Sequence, residues 1–445
     1  MTTEIAVINR LGVALAADSA VTITGYGQEK VFDTGDKLFE LMPDEPIAIM
    51  VNGNLDFLGV PWELIIKDFR TEKFDKRPSS IEEWSIAFLD FAGRHRAVNE
   101  NQSNDFIRRF VQSRISFLQA TVMENIQDLF SSGKRTIKRS VVSELLISAI
   151  NVRSSKLDET SKLKSLDAVN LSDTDKKYGD LISTIIGEMF GEKGITKKDA
   201  KSVKGLMLKE MLVTLDEDTR TGLVVCGFGG DDLFPSLHAV ILDGVLNGRL
   251  RYEVTHDVEI TRDQMPNGRT KELGTAISFA QTDVIERLLR GGDARLIYRS
   301  REFLDQFAGK ALPAMFAGLG WNISDANGGA IPINDMASFL QEKLPALYDV
   351  FVDRVRDEIE REFKQTISLM PKQELIELAE ALVSITAVER KATRDAGTVG
   401  GPIDVALITR AEGFVWIKRK HHFKAELNPR YLSRVSAFRT GGEAG

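Results

Sequence analysis

The 445-residue sequence contains a single cysteine, Cys226, and only five histidines. One cysteine excludes an internal disulfide framework and any metal cluster held by several thiolates. Cys226 lies in the apolar stretch 223–226, which is typical of a small buried side chain. His421 and His422 follow three basic residues and have no acidic or thiol partner at ligand spacing. We therefore expect no metal site and no cofactor.

Long apolar runs and an excess of basic charge are missing too. No stretch approaches the roughly 18 apolar residues that span a bilayer, so we expect no membrane span. Fifty-eight basic and 65 acidic residues give a net charge of −7, which argues against a nucleic-acid binder because phosphate attraction needs a basic face. The N-terminus has no basic region followed by an apolar run, so we expect no signal or transit peptide and a cytoplasmic location.

Short strand-like segments separated by tight turns open the chain, over residues 4–51. Residues 14–17 are apolar in succession rather than alternating, which is typical of a strand covered on both faces. Strand patterns return at 222–260 and at 400–419. These segments predict stacked sheets with helices outside them, in one domain that covers residues 1–445.

Apolar residues at helical spacing separate these strand segments. The block 81–215 is helical and mostly polar, and within it residues 151–205 are rich in lysine, serine, aspartate and threonine. We expect 81–215 to be a helical insertion and 151–205 to be exposed or mobile. A second, extended helical block covers 282–390, where Leu347 and Phe351 belong to one apolar stripe.

Several segments carry a resemblance to a known family. Residues 2–7 and 12–19 resemble, without a gap, the opening two strands of proteasome β subunits and their bacterial peptidase relatives. Residues 36–38 resemble the segment that delivers the family's catalytic lysine, and residues 50–56 resemble its oxyanion turn. Residues 399–405 resemble the glycine pair that leads into one of the last strands. The resemblance implies an α+β fold: a four-layer αββα sandwich of two antiparallel sheets, as in N-terminal-nucleophile (Ntn) hydrolases, here with large helical insertions.

The resemblance also implies the roles of five residues. Thr2 would be the nucleophile, exposed when the initiator methionine is removed. A threonine hydroxyl is a weak nucleophile until a base takes its proton, and an α-amino group, with a reference pKa of about 8, is such a base. Lys37 would lower the pKa of that amine and hydroxyl, and the Asp18 carboxylate would hold the Lys37 ammonium. The turn at Asn52 and Gly53 would supply the backbone donor for the oxyanion.

The sequence departs from the family pattern at its supporting hydroxyl groups. Val399 stands where the family has a serine before the glycine pair, and Thr398 lies beside it. A second supporting serine falls near Ser278 or Thr282, and the sequence does not decide between them. Asn52 stands where the family usually has glycine, which matters only if that position needs a positive φ.

We expect a threonine-type amide or peptide-bond hydrolase that works through an acyl-enzyme ester on Thr2. A catalytically inactive proteasome-like scaffold or regulatory subunit is the alternative that Val399 favours, and a small-molecule amidase is another. The resemblance implies a peptide or unfolded-protein substrate and a homo-oligomer, either a ring or a smaller assembly. It also implies an ATPase partner that unfolds substrates.

Overall fold

The structure is a computed structural model that describes residues 3–25, 28–32, 34–96, 98–133, 136–191, 194–261, 270–280, 283–320, 323–324, 327–392, 400–421, 424–430 and 433. The strands are β1 (Thr3–Asn9), β2 (Gly12–Asp18), β3 (Val21–Gly25), β4 (Gln28–Phe32), β5 (Leu38–Glu40), β6 (Ile47–Gly53), β7 (Asp56–Phe57), β8 (Val60–Pro61), β9 (Thr221–Gly227), β10 (Ser236–Leu246), β11 (Arg249–Ile260), β12 (Thr270–Glu272), β13 (Gly274–Ala280), β14 (Ile323–Ser324), β15 (Ala330–Ile331), β16 (Ile403–Thr409) and β17 (Gly413–Lys418). The helices are α1 (Trp62–Phe69), α2 (Ile81–Arg94), α3 (Glu100–Ser131), α4 (Arg139–Asp158), α5 (Leu171–Phe190), α6 (Lys197–Val213), α7 (Asp283–Arg290), α8 (Ala294–Gln306), α9 (Leu312–Leu319), α10 (Ile333–Leu369) and α11 (Lys372–Ala392).

Two large sheets form the centre of the molecule. Sheet 1 has the strand order β13-β1-β2-β16-β17, and its strands are antiparallel. Sheet 2 has the order β12-β11-β10-β9-β6-β5 and is antiparallel except for the β11–β12 pair. In sheet 1 the first two strands are joined by a tight turn, where Asn9 Oδ1 accepts a hydrogen bond from Leu11 N over 2.8 Å.

The two sheets pack face to face through a buried apolar layer. Sheet 1 contributes residues such as Leu15 and Ala17, and sheet 2 contributes Met50, Val224 and Cys226. Burial raises the pKa of the Cys226 thiol, which is consistent with the small buried side chain predicted for it.

Helices cover the outer face of each sheet. On sheet 1, Val7 and Ala16 pack in one cluster with Leu382 of α11. On sheet 2, Val225 packs with Phe88 of α2 in a cluster that also includes α1. The four layers confirm the predicted αββα architecture, and β2 is buried along its whole length, as its unbroken apolar run predicts.

Helices α3 to α6 form a separate hydrophobic core beside sheet 2. Residues 151–205 contribute buried side chains to this core, Tyr178 among them, while the mobility of that stretch stays a prediction. Arg251 of β11 links the core to the sheet, because its guanidinium group lies 3.1 Å from Asp243 Oδ2 and 4.5 Å from the Phe110 ring centre. Burial raises the pKa of the Asp243 carboxyl, and the neighbouring Arg251 charge opposes that rise.

Among the described helices, none combines the length and the apolar character that a membrane crossing requires.

Candidate active site

A buried ion pair joins the end of β2 to the segment before β5. Lys37 Nζ donates a hydrogen bond to Asp18 Oδ1 over 2.6 Å, and each side chain is only 1% exposed. Lys37 is fixed from its backbone as well, since Val51 N on β6 donates to Lys37 O over 2.9 Å. The structure therefore brings together the predicted lysine and its predicted carboxylate.

A second carboxylate completes this charged cluster. Glu4 Oε1, on β1, lies 3.2 Å from Lys37 Nζ, and the Glu4 side chain is fully buried. Glu4 lies opposite Ala17 and Phe279, which both belong to the core between the sheets, so these three residues share the inner face of sheet 1. The Lys37 ammonium is therefore held between two carboxylates, one on β1 and one at the end of β2.

The Asp18 carboxylate is held by two backbone donors in addition to the lysine. Thr3 N donates to Asp18 Oδ1 over 3.0 Å, and Gly400 N donates to Asp18 Oδ2 over 3.1 Å. Nearby, Thr3 Oγ1 and Ser19 Oγ are buried and make no hydrogen bond within the described part of the chain. Because buried polar groups normally have a partner, the start of β1 has hydrogen-bonding capacity to spare.

The predicted oxyanion turn lies at the end of β6, beside the Lys37 segment. Val51 N donates to Lys37 O, so the Val51 N–H points to the edge of β6 that faces Lys37. Backbone N–H groups two residues apart on a strand point to the same edge, so the Gly53 N–H points to that edge as well. Gly53 has a φ of +74°, whereas Asn52 is paired with Gly222 in the regular ladder. The positive φ of the turn thus belongs to Gly53. Asn52 does not need a positive φ, so its side chain is compatible with the turn.

A clamp from β9 and α1 fixes the turn that follows Gly53. Thr221 Oγ1 donates to Asn54 O over 2.7 Å and accepts from Trp62 Nε1 over 3.2 Å. Asn54 N donates to Arg220 O over 3.2 Å. Thr221 and Trp62 are both 1% exposed, so water does not compete for these hydrogen bonds.

An open cleft of about 400 Å³ borders this turn. It is lined by Thr34, Asp36, Val51, Leu55, Asp56, Pro61, Trp62 and Glu63. Asp36 precedes Lys37 in the chain and Val51 is hydrogen-bonded to it, so the cleft adjoins the ion pair. The acidic lining is partly balanced, because Lys420 Nζ lies 2.9 Å from Asp36 Oδ1.

The structure separates Ser278 from this cluster. Ser278 on β13 lies opposite Ile5, whose side chain packs against the helices outside sheet 1. Residues directly opposite each other share a face, so Ser278 belongs to the helix side and Glu4 to the inner side. Ser278 is thus a poor candidate for the supporting hydroxyl. Thr2, Thr282, Thr398 and Val399 fall outside the described residues.

Glu4 and Thr221 are the site residues that sequence reasoning missed. A charged residue directly before the apolar run 5–8 is a signal for Glu4, because charges are seldom fully buried unless paired. Thr221 gives no comparable signal, since one threonine at the start of a strand is ordinary. Within the described ranges, no three His, Cys, Asp or Glu side chains are grouped so that they could hold a metal ion.

No family model and no curated protein matches the sequence. Among solved structures, the chain is similar to Anbu (ancestral beta-subunit) from Yersinia bercovieri, with 10% sequence identity and a TM-score of 0.26. The similarity covers 98% of this chain and 96% of that chain. Because the TM-score is low, the fold assignment rests on the sheets and helices of the chain itself.

Proposed function

We propose that the protein is a threonine-type Ntn hydrolase that cleaves amide or peptide bonds, with Thr2 as the nucleophile. The observation that carries this proposal is the buried Lys37 ammonium held by Asp18 and Glu4 at the start of β1. Thr2 is the residue that precedes Thr3, and Thr3 N donates to the carboxylate that holds Lys37. The proposal requires that Thr2 is the first residue of the mature chain.

Two carboxylates hold the Lys37 ammonium in place near the start of β1, where Thr3 N donates to Asp18. This fixed positive charge would lower the pKa of the α-amino group of a mature Thr2, which leaves that amine free to accept the proton of the Thr2 hydroxyl.

The chemical steps follow from these groups. Thr2 Oγ attacks the substrate carbonyl carbon while its proton passes to the Thr2 α-amino group, and the carbonyl π electrons move to oxygen. The Gly53 N–H donates to that oxyanion. The C–N bond then breaks as the leaving nitrogen takes the proton from the amine, which leaves an ester on Thr2. Water attacks the ester with the amine as base, the C–Oγ bond breaks, and Thr2 is restored.

The cleft beside Asp36 and Val51 fits the part of the substrate next to the cleaved bond. A peptide or an unfolded protein segment is the proposed substrate, since an open cleft admits an extended chain. We extend the proposal to a homo-oligomer, whose contact surface is argued below. An ATPase partner remains an expectation from the family resemblance.

A substrate screen tests the proposal. A peptide library and a set of small amides are incubated with the native protein, with Thr2→Ala and with Thr2→Ser. We expect hydrolysis of peptides by the native protein, loss of it in Thr2→Ala, and partial activity in Thr2→Ser, which keeps a hydroxyl and an amine. Equal hydrolysis by the native protein and Thr2→Ala overturns the mechanism. Cleavage of small amides alone supports the amidase, and no cleavage by any form supports the inactive scaffold.

A further inference from the structure

One segment of consecutive helices has almost no buried interior of its own. The arm is defined here as residues 294–353, which include α8, α9 and the first part of α10. Among its described residues only Ala308, Ala337 and Pro345 are buried. By contrast, α3 to α6 enclose a full hydrophobic core. Because helices need a buried apolar face to be stable, the arm lacks a packing surface of its own.

An apolar stripe runs along the exposed side of α10. Phe339, Ala346 and Val350 follow one another at spacings of seven and four residues, and Leu347 and Phe351 lie beside them. The four large side chains of this set are 58–66% exposed. Residues at this spacing share one face of a helix, and such a stripe normally packs against another helix. Leu347 and Phe351 belong to the apolar stripe predicted from the sequence, and both are exposed in the single chain.

The other two helices of the arm add exposed apolar side chains. Leu296, Tyr298 and Phe303 on α8 are 65–66% exposed, and Met315 and Leu319 on α9 are 54% and 57% exposed. Together with the α10 stripe, these side chains leave on the order of 900 Å² of apolar surface in water, close to the roughly 800 Å² per partner of a standard stable interface. This amount of exposed apolar area, on helices that contact one another, is typical of an interaction surface.

The arm also has a groove that, like the stripe, is largely apolar. It measures about 390 Å³ and is lined by Arg299, Ser300, Phe303, Leu304 and Tyr348, so it lies between α8 and α10. An exposed stripe and an apolar groove on the same arm allow an isologous contact across a two-fold axis, in which each arm supplies both surfaces.

The charges of the arm favour the same arrangement. Residues 294–306 carry a formal charge of +1, from three arginines and two acidic residues. Residues 333–353 carry −3, from one lysine and four acidic residues. Within one copy Arg301 on α8 already pairs with Asp349 on α10, over 3.2 Å. Seating the acidic α10 of a second copy beside Arg299, which lines the groove, brings further opposite charges together.

We propose that the arm docks onto the arm of a second copy of this chain, with the α10 stripe of each copy in the α8–α10 groove of the other. This contact does not depend on hydrolysis at Thr2.

Oligomeric mass tests the proposal directly. The native protein is compared by light scattering with the double variant Leu347→Ser/Phe351→Ser and with the control Leu171→Ser/Leu233→Ser, whose two leucines are 48% and 72% exposed outside the arm. We expect the native protein and the control to form a dimer or an even-numbered assembly. The arm variant should have at most half of that mass, with an unchanged circular dichroism spectrum because both side chains are exposed. A monomeric native protein, or an arm variant of unchanged mass, overturns the proposal.

Cross-linking distinguishes a second copy from an unrelated partner. Since Cys226 is buried, an introduced cysteine is the accessible thiol. We expect a mixture of purified Val350→Cys and Ser300→Cys proteins to form a covalent dimer with a short bismaleimide. Replacing the second variant by Leu171→Cys should abolish it. Equal cross-linking in both mixtures contradicts the proposed contact.

Discussion

Lys37 Nζ lies 2.6 Å from Asp18 Oδ1, in a position where both side chains are closed to solvent. Burying a charged pair is costly unless its geometry is good and its remaining hydrogen bonds are made. Here Thr3 N, Gly400 N and the Glu4 carboxylate supply those contacts. The proposed mechanism is based on this network of hydrogen bonds and ion pairs, which fixes the Lys37 ammonium close to Thr3.

Removing the ammonium should cost both stability and activity. Lys37→Met leaves Asp18 and Glu4 buried without their cation, so we expect a loss of about 3–5 kcal/mol in the free energy of unfolding. Chemical denaturation measures this loss, and hydrolysis should fall to the level of Thr2→Ala. Lys67→Met is the matched control, because Lys67 pairs with Glu63 at the surface and should change stability by less than about 1 kcal/mol. A stable and active Lys37→Met protein contradicts the assignment.

Glu4→Gln tests the second carboxylate. Glutamine keeps the size of the side chain and removes the charge that helps to hold the Lys37 ammonium, so we expect the fold to persist while kcat falls by up to about 10²-fold, the effect of a catalytic group displaced by about 1 Å. Asp18→Asn should be more harmful, because Asp18 Oδ1 accepts from both Lys37 Nζ and Thr3 N. Steady-state kinetics and thermal unfolding of the two variants separate these effects. An unchanged kcat in Glu4→Gln shows that Glu4 serves the fold alone.

Thr221 should act as a positioning residue for the oxyanion turn. Thr221→Val removes the hydroxyl that holds Asn54 O and accepts from Trp62 Nε1. Since a displacement of about 1 Å in a catalytic donor costs up to about 10²-fold, we expect a lower kcat at a nearly unchanged KM. Thr221→Ser, which keeps the hydroxyl, should restore kcat. Equal kcat values for the two variants would show that the clamp has no part in catalysis.

Gly53→Ala and Gly59→Ala form a matched pair. Both glycines have a positive φ, +74° and +84°, so each alanine carries a cost of about 1 kcal/mol for that conformation. A Cβ at Gly53 also comes within 2.7 Å of Arg220 O, whereas at Gly59 it meets nothing within 4 Å. We expect Gly53→Ala to be the less stable variant in urea unfolding and the only one that loses activity. Similar behaviour of the two variants contradicts the role of Gly53.

The fold was predictable where a local pattern has a single structural solution. The unbroken apolar run 14–17 predicted a strand covered on both faces, and β2 is such a strand. The choice between Ser278 and Thr282 could not be made, because one residue of slip in the register of β13 moves every side chain to the other face. The register of β13 follows only from the structure, in which Ser278 pairs with Ile5.

The candidate site was predictable only in part for a related reason. The pairing of Lys37 with Asp18 followed from the family resemblance, and the structure has that contact. The position of Glu4 beside Lys37 depends on how two distant segments meet in space, which the spacing of residues along the chain does not encode. The exposed α10 stripe shows the same limit, because its period predicts an apolar face and leaves the partner of that face open.

Intact-mass analysis of the purified native protein, before and after a threonine-directed β-lactone, tests the central claim most directly. The account predicts a chain that begins at Thr2 and gains the mass of one lactone as an ester on Thr2 Oγ, with no gain in Thr2→Ala. A native chain that still carries a residue before Thr2, or one that gains no mass at Thr2, contradicts it.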